Sequence, residues 1–290
     1  MVMLNFAGLP KTKCLMPSPF ICTSNLEAPA LWMHPNMKLM LCIVALAGLV
    51  ASEPSQRIVG GSDAYAGQFP WQVSLQRSSG SSWAHICGGS LIANNRVLTA
   101  AHCVTATSPG SYRVVLGNHR LNNIDGTEQT IYISSIVNHP NYNGNAAGYP
   151  NDISVMRLSS NANTGSSAVS TIGLAPSGSS FVGQTCTISG WGRTSGTSSL
   201  PNILQYVGMG KISNSECSTR WAGISGATIN TGHICVFQSG RSACNGDSGG
   251  PMICNGMLAG VTSWGISGCS GNYPSVYTRV SQFVSWINSI

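Results

Sequence analysis

Hydrophobic and polar positions alternate over short stretches of this chain. Trp71-Gln72-Val73-Ser74-Leu75, Tyr112-Arg113-Val114-Val115-Leu116 and Gln129-Thr130-Ile131-Tyr132-Ile133 read as strands. So do Cys186-Thr187-Ile188-Ser189 and Leu258-Ala259-Gly260-Val261-Thr262-Ser263. Such runs recur about every 10–15 residues, with Gly, Asn, Ser and Pro between them. That spacing predicts an all-β barrel or sandwich. A helical period appears only in the tail, Ser281-Gln282-Phe283-Val284-Ser285-Trp286-Ile287. It predicts a terminal helix that docks its Phe283, Trp286 and Ile287 side. Periodicity leaves open whether one compact β domain or two packed barrels carry the strands.

An apolar run of another kind, Leu39 to Val50, follows Met37-Lys38 and ends in Ala51-Ser52-Glu53. A basic start, a short apolar centre and small residues at the end describe a secretory signal peptide over 37–52. The run falls short of the roughly 20 apolar residues that cross a bilayer, so a secreted, extracellular protein without a membrane anchor is expected. Residues 53–57 would remain as a pro-segment too short to fold. Signal peptides begin a chain, and residues 1–36 lack periodicity. Translation is therefore expected to start at Met37, with 1–36 a gene-model extension.

Composition narrows the class. The 290 residues are 42% hydrophobic and only 8% charged, with 34 glycines, which excludes a disordered chain and favours turns over long helices. The net charge of +6 comes from basic residues that form no run, so nucleic acid is not an expected partner. Of 11 cysteines, Cys14, Cys22 and Cys42 precede residue 57. The others (Cys87, Cys103, Cys186, Cys217, Cys235, Cys244, Cys254 and Cys269) follow it, an even set that reads as a disulfide framework. No Cys-x-x-Cys occurs, so zinc is not expected.

Three short motifs carry chemistry. Each has a bland reading alone: a structural histidine in Thr99-Ala100-Ala101-His102-Cys103, a surface turn in Asn151-Asp152-Ile153-Ser154-Val155, and a tight turn in Gly246-Asp247-Ser248-Gly249-Gly250-Pro251. Together, in the order His, Asp, Ser, they resemble the chymotrypsin-like (trypsin-fold) serine protease family. So do Ile58-Val59-Gly60-Gly61 after Arg57, Phe69-Pro70-Trp71, Cys87-Gly88-Gly89-Ser90-Leu91, Gly190-Trp191-Gly192 and Ser263-Trp264-Gly265. The resemblance covers nearly all of 58–290. It implies two packed six-stranded antiparallel Greek-key barrels with a C-terminal helix.

The resemblance also implies roles. A serine hydroxyl is a poor nucleophile at neutral pH and needs a base to take its proton. His102 would supply that base and later return the proton to the leaving amine. Asp152 would hold the imidazole in the correct tautomer. Backbone N–H groups of Gly246 and Ser248 would form the oxyanion hole, where losing one donor costs about 3 kcal/mol in the transition state. Cleavage between Arg57 and Ile58 would free an ammonium on Ile58 to pair with Asp247. The eight cysteines would pair as Cys87–Cys103, Cys186–Cys254, Cys217–Cys235 and Cys244–Cys269.

The substrate pocket implied by the resemblance contains Ser242, Ser263, Gly265 and Ser275. Trypsin-like members carry an aspartate at the position of Ser242. The neutral serine leaves a cationic side chain unpaired, so medium-to-large apolar residues (Phe, Tyr, Leu, Met) are expected before the cut bond. The alternatives are a small-residue elastase and an inactive protease-fold binding protein, although His102, Asp152 and Ser248 are all in place. An enzyme that rejects arginine needs a trypsin-like activator to cut after Arg57. Protein or peptide substrates, protein inhibitors and a monomeric state complete the expected partners. The loop from Gly117-Asn118-His119-Arg120 to Asp125-Gly126-Thr127-Glu128 aligns with the family's calcium loop, but Asn118 stands where a glutamate is usual and Arg120 adds a repelling charge. No metal and no cofactor are expected.

Overall fold

The alternating runs become strands, and the strands close into two six-stranded antiparallel barrels. The computed structural model describes residues 58–290 apart from 106 and 107, and the backbone of strand β1, Val2–Leu4. Apart from that strand, the 1–36 extension lies outside the described residues, as do the 37–52 signal peptide, the 53–57 pro-segment with Arg57, and Cys14, Cys22 and Cys42. After β2 (Ser62–Asp63) come the strands of the first barrel: β3 (Gln72–Ser79), β4 (Ser82–Ala93), β5 (Arg96–Thr99), β6 (Tyr112–Leu116), β7 (Gln129–Asn138) and β8 (Ser154–Leu158). They close in the order β3-β4-β5-β8-β7-β6. The second barrel is built from β9 (Thr185–Gly190), β10 (Gln205–Ile212), β11 (His233–Phe237), β12 (Pro251–Cys254), β13 (Met257–Ile266) and β14 (Ser275–Arg279). Its order is β13-β12-β9-β10-β11-β14, closed by the β13–β14 pair. Strand β2 pairs with β10, and β1 lies parallel to Trp264–Ile266 of β13.

Each barrel fills its own interior. Val73, Leu75, Leu91, Val97, Leu116 and Val155 belong to one buried cluster, and Ile188, Val207, Met209, Ile234, Val236 and Tyr277 to another. Burying each large apolar side chain contributes about 1.5–3 kcal/mol, so both barrels rest on the alternation seen in the sequence. Strand β10 shows that alternation without interruption: Gln205, Val207, Met209 and Lys211 are buried, and the residues between them are half-exposed.

The C-terminal helix, α2 in chain order (Val280–Ser289), extends the predicted segment at both ends. It leaves β14 of the second barrel, yet Val280, Phe283 and Ile287 sit in the first barrel's cluster with Trp286 packed beside them. Arg96 of β5 donates to the Ile287 carbonyl at 3.2 Å, and His139 sets its ring edge-on to Phe283 and Trp286. A second helix, α1 (Asn214–Arg220), has no counterpart among the predicted elements. Only Cys217 is buried in it, so it lacks the apolar stripe that marks a helix in sequence. It forms through local chemistry: Ser213 Oγ caps the Glu216 N–H at 3.0 Å, and Arg220 bonds Glu216 one turn back.

Four disulfides staple the barrels: Cys87–Cys103, Cys186–Cys254, Cys217–Cys235 and Cys244–Cys269. The first spans 16 residues, a loop whose closure is worth about 3 kcal/mol in the chain-entropy account.

The 117–128 loop is closed by its own side chains. The Arg120 guanidinium grips Asp125 Oδ1, with Nε at 2.7 Å, and this bond holds the Asp125 carboxyl below its usual range. Glu128 spends one oxygen on the Asp125 N–H (2.7 Å) and the other on the Gly126 N–H (2.8 Å). Asn118 Oδ1 and Asp125 Oδ2 alone remain as buried, unpartnered oxygens of the loop. Calcium takes roughly six to eight oxygen ligands, so these residues do not fit it. Chelation by EDTA is expected to leave the melting temperature of the precursor unchanged, whereas Arg120→Ala is expected to lower it. A fall in melting temperature on EDTA addition, reversed by calcium, would show that the loop holds the ion after all.

Candidate active site

His102 lies in a 3-10 turn, Ala101–Cys103, that follows β5 and is pinned at Cys103 to Cys87 of β4. Asp152 precedes β8 and is completely buried. The residue before it, Asn151, takes the left-handed conformation (φ 58°) that asparagine tolerates, and anchors to the Asn141 carbonyl at 2.8 Å. The chain thereby turns the carboxylate inward. Asp152 Oδ1 accepts the His102 backbone N–H at 2.9 Å, and Oδ2 accepts His102 Nδ1 at 2.7 Å and the Ser263 hydroxyl at 2.6 Å. Thr278 Oγ1 donates to the Asp152 carbonyl at 2.7 Å. Burial pushes the Asp152 carboxyl up, but the His102 charge and these hydrogen bonds outweigh it and hold the group below its ordinary value. An ionised carboxylate only accepts, so Nδ1 carries the proton and Nε2 keeps its lone pair.

Ser248 stands before β12, and its carbonyl accepts the Gly88 N–H of β4 at 2.7 Å, which joins the two barrels. Its hydroxyl is buried without a hydrogen-bond partner among the described residues. Gly246 adopts φ +103°, a conformation that L side chains rarely reach. Neither the Gly246 N–H nor the Ser248 N–H is spent on another described group, while the Asp247 N–H between them goes to the Cys244 carbonyl at 2.9 Å. Two free donors thus flank the serine.

The Gly246 carbonyl is fixed by a residue that no motif singles out. His85 of β4 bonds Gly246 O through Nε2 at 3.0 Å and Ser74 Oγ through Nδ1 at 2.9 Å, with its ring edge-on to Trp191. Burial depresses the His85 imidazole to about 4, against the raising effect of the Gly246 bond, so the ring is neutral. A lone histidine two positions before Cys87 carries no local signal of this contact.

Asp247 is also buried. Its oxygens accept the Gly192 N–H (2.8 Å) and the Cys244 N–H (2.9 Å). A Cβ on Gly192 would sit 2.2 Å from Asp247 Oδ2, so only glycine allows this approach. Burial raises the Asp247 carboxyl to about 6 despite the two N–H bonds. Ile58 is fully buried in the second barrel's cluster, and the Val59 carbonyl accepts the Ser242 N–H at 3.3 Å.

Ser242 and Ser275 are both buried and face each other, with hydroxyls 3.4 Å apart. Ser242 Oγ donates to the Ala243 carbonyl at 2.7 Å, and Ser275 Oγ accepts the Ala243 N–H at 3.2 Å. Gly265 lies on β13, whose neighbour Trp264 pairs with Val276 of β14. The Cys244–Cys269 bridge ties the segment before Ser248 to the turn after β13. Ser263, grouped with these residues by its motif, sends its hydroxyl to Asp152 instead of joining the serine pair. Among the described residues, Cys87, His102 and Cys103 are the one group close enough to ligate a metal. The two cysteines are bonded to each other, so they offer no thiolate.

The Trypsin family model matches residues 58–287. The chain is 54% identical to a chymotrypsin-like serine proteinase of Haliotis rufescens over 89% of this chain and all of that protein. It is 44% identical to the bovine chymotrypsin-like elastase family member 1 (82% of this chain, 90% of that one). With the chicken trypsin I-P1 it shares 41% identity (86% and 97%). A match over both barrels, together with a buried carboxylate that orients His102 and two free N–H groups beside Ser248, settles the matter: the chain belongs to the trypsin family of serine endopeptidases.

Proposed function

We propose that this protein cleaves peptide bonds after medium-to-large apolar residues, with Ser248 as nucleophile, His102 as general base and Asp152 as its orienting carboxylate. The observation that carries the mechanism is the Asp152 network, which holds the Nδ1 proton in place and leaves the Nε2 lone pair free. The Ser248 hydroxyl gives its proton to Nε2 as it attacks the carbonyl carbon. The oxyanion is received by the N–H groups of Gly246 and Ser248, and His102 then protonates the leaving amine. Catalytic hydrogen bonds tighten when substrate is bound, which accommodates the unpartnered Ser248 hydroxyl.

Specificity follows from the serine pair. The Ser242 and Ser275 hydroxyls are spent on each other and on Ala243, and among the described residues no acid bonds them. A lysine or arginine side chain would shed water there without a counter-ion. The trypsin and the elastase among the relatives do not decide this preference; the neutral Ser242 favours the apolar reading.

Activation follows from Asp247. In the uncut chain the buried Asp247 carboxylate takes its hydrogen bonds from the Gly192 and Cys244 N–H groups, whereas a cut after Arg57 by a trypsin-like protease would deliver the Ile58 ammonium to it. A buried ion pair stabilises only with good geometry, and the burial of the Ile58 side chain supplies a fixed seat. The signal at 37–52 supports secretion of this precursor, with protein substrates, protein inhibitors and a monomeric state following the family pattern.

Three outcomes are expected. After activation with trypsin, peptides ending in Phe, Tyr, Leu or Met should be cleaved at least about 100-fold faster than those ending in Arg; faster cleavage after Arg or Ala overturns the pocket assignment. Ser248→Ala and His102→Ala should each lower kcat by about 10⁴–10⁶-fold, with residual binding of substrate intact. The third concerns Asp247 in the uncut precursor. Because burial raises it, the folded chain keeps a proton that the unfolded chain releases, so its contribution is present at low pH and lost as pH rises through about 6. Urea unfolding of wild type relative to Asp247→Asn should therefore lose about 2–3 kcal/mol between the ordinary carboxylate range and pH 7. A flat difference curve counts against the isolated carboxylate.

A further inference from the structure

Asparagine is followed by glycine at Asn143-Gly144, Asn245-Gly246 and Asn255-Gly256. Asparagine is among the less durable residues, and a glycine after it leaves the next backbone nitrogen without a side chain to shield it. That nitrogen can close onto the asparagine side chain when neither group is held elsewhere. Folded chains suppress the reaction, since more than about 90% of buried backbone N–H groups are bonded.

The three pairs differ in how their polar groups are used. Asn143 is committed, its Oδ1 accepting the Asn145 N–H at 2.9 Å. Asn255 and Gly256 (φ 50° and 73°) form the exposed turn between β12 and β13, where a change touches a hairpin tip and no catalytic group. Asn245 is half-buried, and its side-chain amide makes no hydrogen bond to a described group. The Gly246 N–H is likewise unspent. The oxygen of the same peptide is bonded, however. The Arg193 N–H donates to the Asn245 carbonyl at 2.8 Å, which polarises the amide and makes its N–H easier to remove. The usual protection is ruled out by function, because an N–H kept open for an oxyanion cannot also be bonded within the fold.

We propose that Asn245 is a site of spontaneous modification, in which the Gly246 nitrogen closes onto the Asn245 side chain and takes its own N–H out of the oxyanion hole. Solvent removes the Gly246 amide proton as the nitrogen attacks Asn245 Cγ. The new N–Cγ bond replaces the Cγ–Nδ2 bond, and Nδ2 leaves as ammonia with a proton from solvent. The five-membered imide has no N–H at position 246. Water then opens it: cleavage of the N–Cγ bond gives aspartate, and cleavage at the backbone carbonyl gives isoaspartate, with the chain rerouted through Cγ. Water is the only other reactant, and nothing is oxidised or reduced. The imide lacks the donor, isoaspartate displaces it by an added backbone carbon, and aspartate sets a negative charge beside the oxyanion. The loss of activity rests on the oxyanion role proposed above for Gly246; the modification itself does not.

The test ages the uncut precursor, which avoids self-digestion, in mildly alkaline buffer for several half-lives of the same Asn-Gly pair in a free peptide spanning 242–248. Samples are activated with trypsin for kcat and KM, and peptide mapping follows aspartate and isoaspartate at residues 143, 245 and 255. Residue 245 should convert, chiefly to isoaspartate, and kcat should fall in step with the intact fraction. Fully converted enzyme should be about 10²–10³-fold slower with KM little changed, the loss expected for one oxyanion donor. Asn245→Gln, which would have to close a less favoured six-membered ring, should keep its own starting kcat. Should that variant fail to fold, the mapping of the wild type decides. Asn245 intact at the end of ageing, or an equal decline in Asn245→Gln, overturns the site. Conversion at 245 with kcat unchanged upholds the site and overturns the oxyanion role of Gly246.

Discussion

The carboxylate of Asp152 is the group on which the rest of this molecule depends. It is wholly removed from water, and a lone charge in that position would be prohibitive. Three donors make it tolerable, and they do not come from one place. The His102 N–H and imidazole belong to the first barrel, while Ser263 belongs to the second, as does Thr278, whose hydroxyl holds the Asp152 backbone carbonyl. The charge is thus stable only where the two barrels meet. The junction that solvates Asp152 also gives His102 its tautomer, so stability and chemical competence are drawn from the same bonds.

The serine side of the junction is organised by backbone groups. The Ser248 carbonyl receives a Gly88 N–H across the interface, His85 holds the Gly246 carbonyl, and Asp247 gathers the N–H groups of Gly192 and Cys244. Each contact consumes one polar group of the segment and leaves the two N–H donors beside Ser248 unspent. Preorganisation here is subtractive: every group that could compete for the incoming oxyanion's donors has been given another partner.

Much of this was legible in sequence, for identifiable reasons. Tyr112–Leu116 is a strand with the bounds its alternation predicts, and Phe283 and Ile287 dock as their helical spacing implies. The motifs around His102, Asp152 and Ser248 name a family because all three must be present in order. Alternation records which face of a strand is buried but not which strand lies beside it, so the number of barrels came only from the resemblance. Helix α1 stayed hidden because its stability resides in a cap and an ion pair and not in an apolar stripe. His85 and the hydroxyl of Ser263 act on residues 161 and 111 positions away, a separation at which no local pattern carries information.

Helix α2 has a bearing on how the molecule is made. Val280, Phe283 and Ile287 join the buried cluster that holds Val73, Leu75 and Val155 of the first barrel, although that barrel's own strands end at Leu158. During synthesis the first barrel therefore emerges from the ribosome more than a hundred residues before the helix. Its cluster receives these three side chains only at the very end of translation. The last residues made are thus packed against some of the first, and the two ends of the domain share one core.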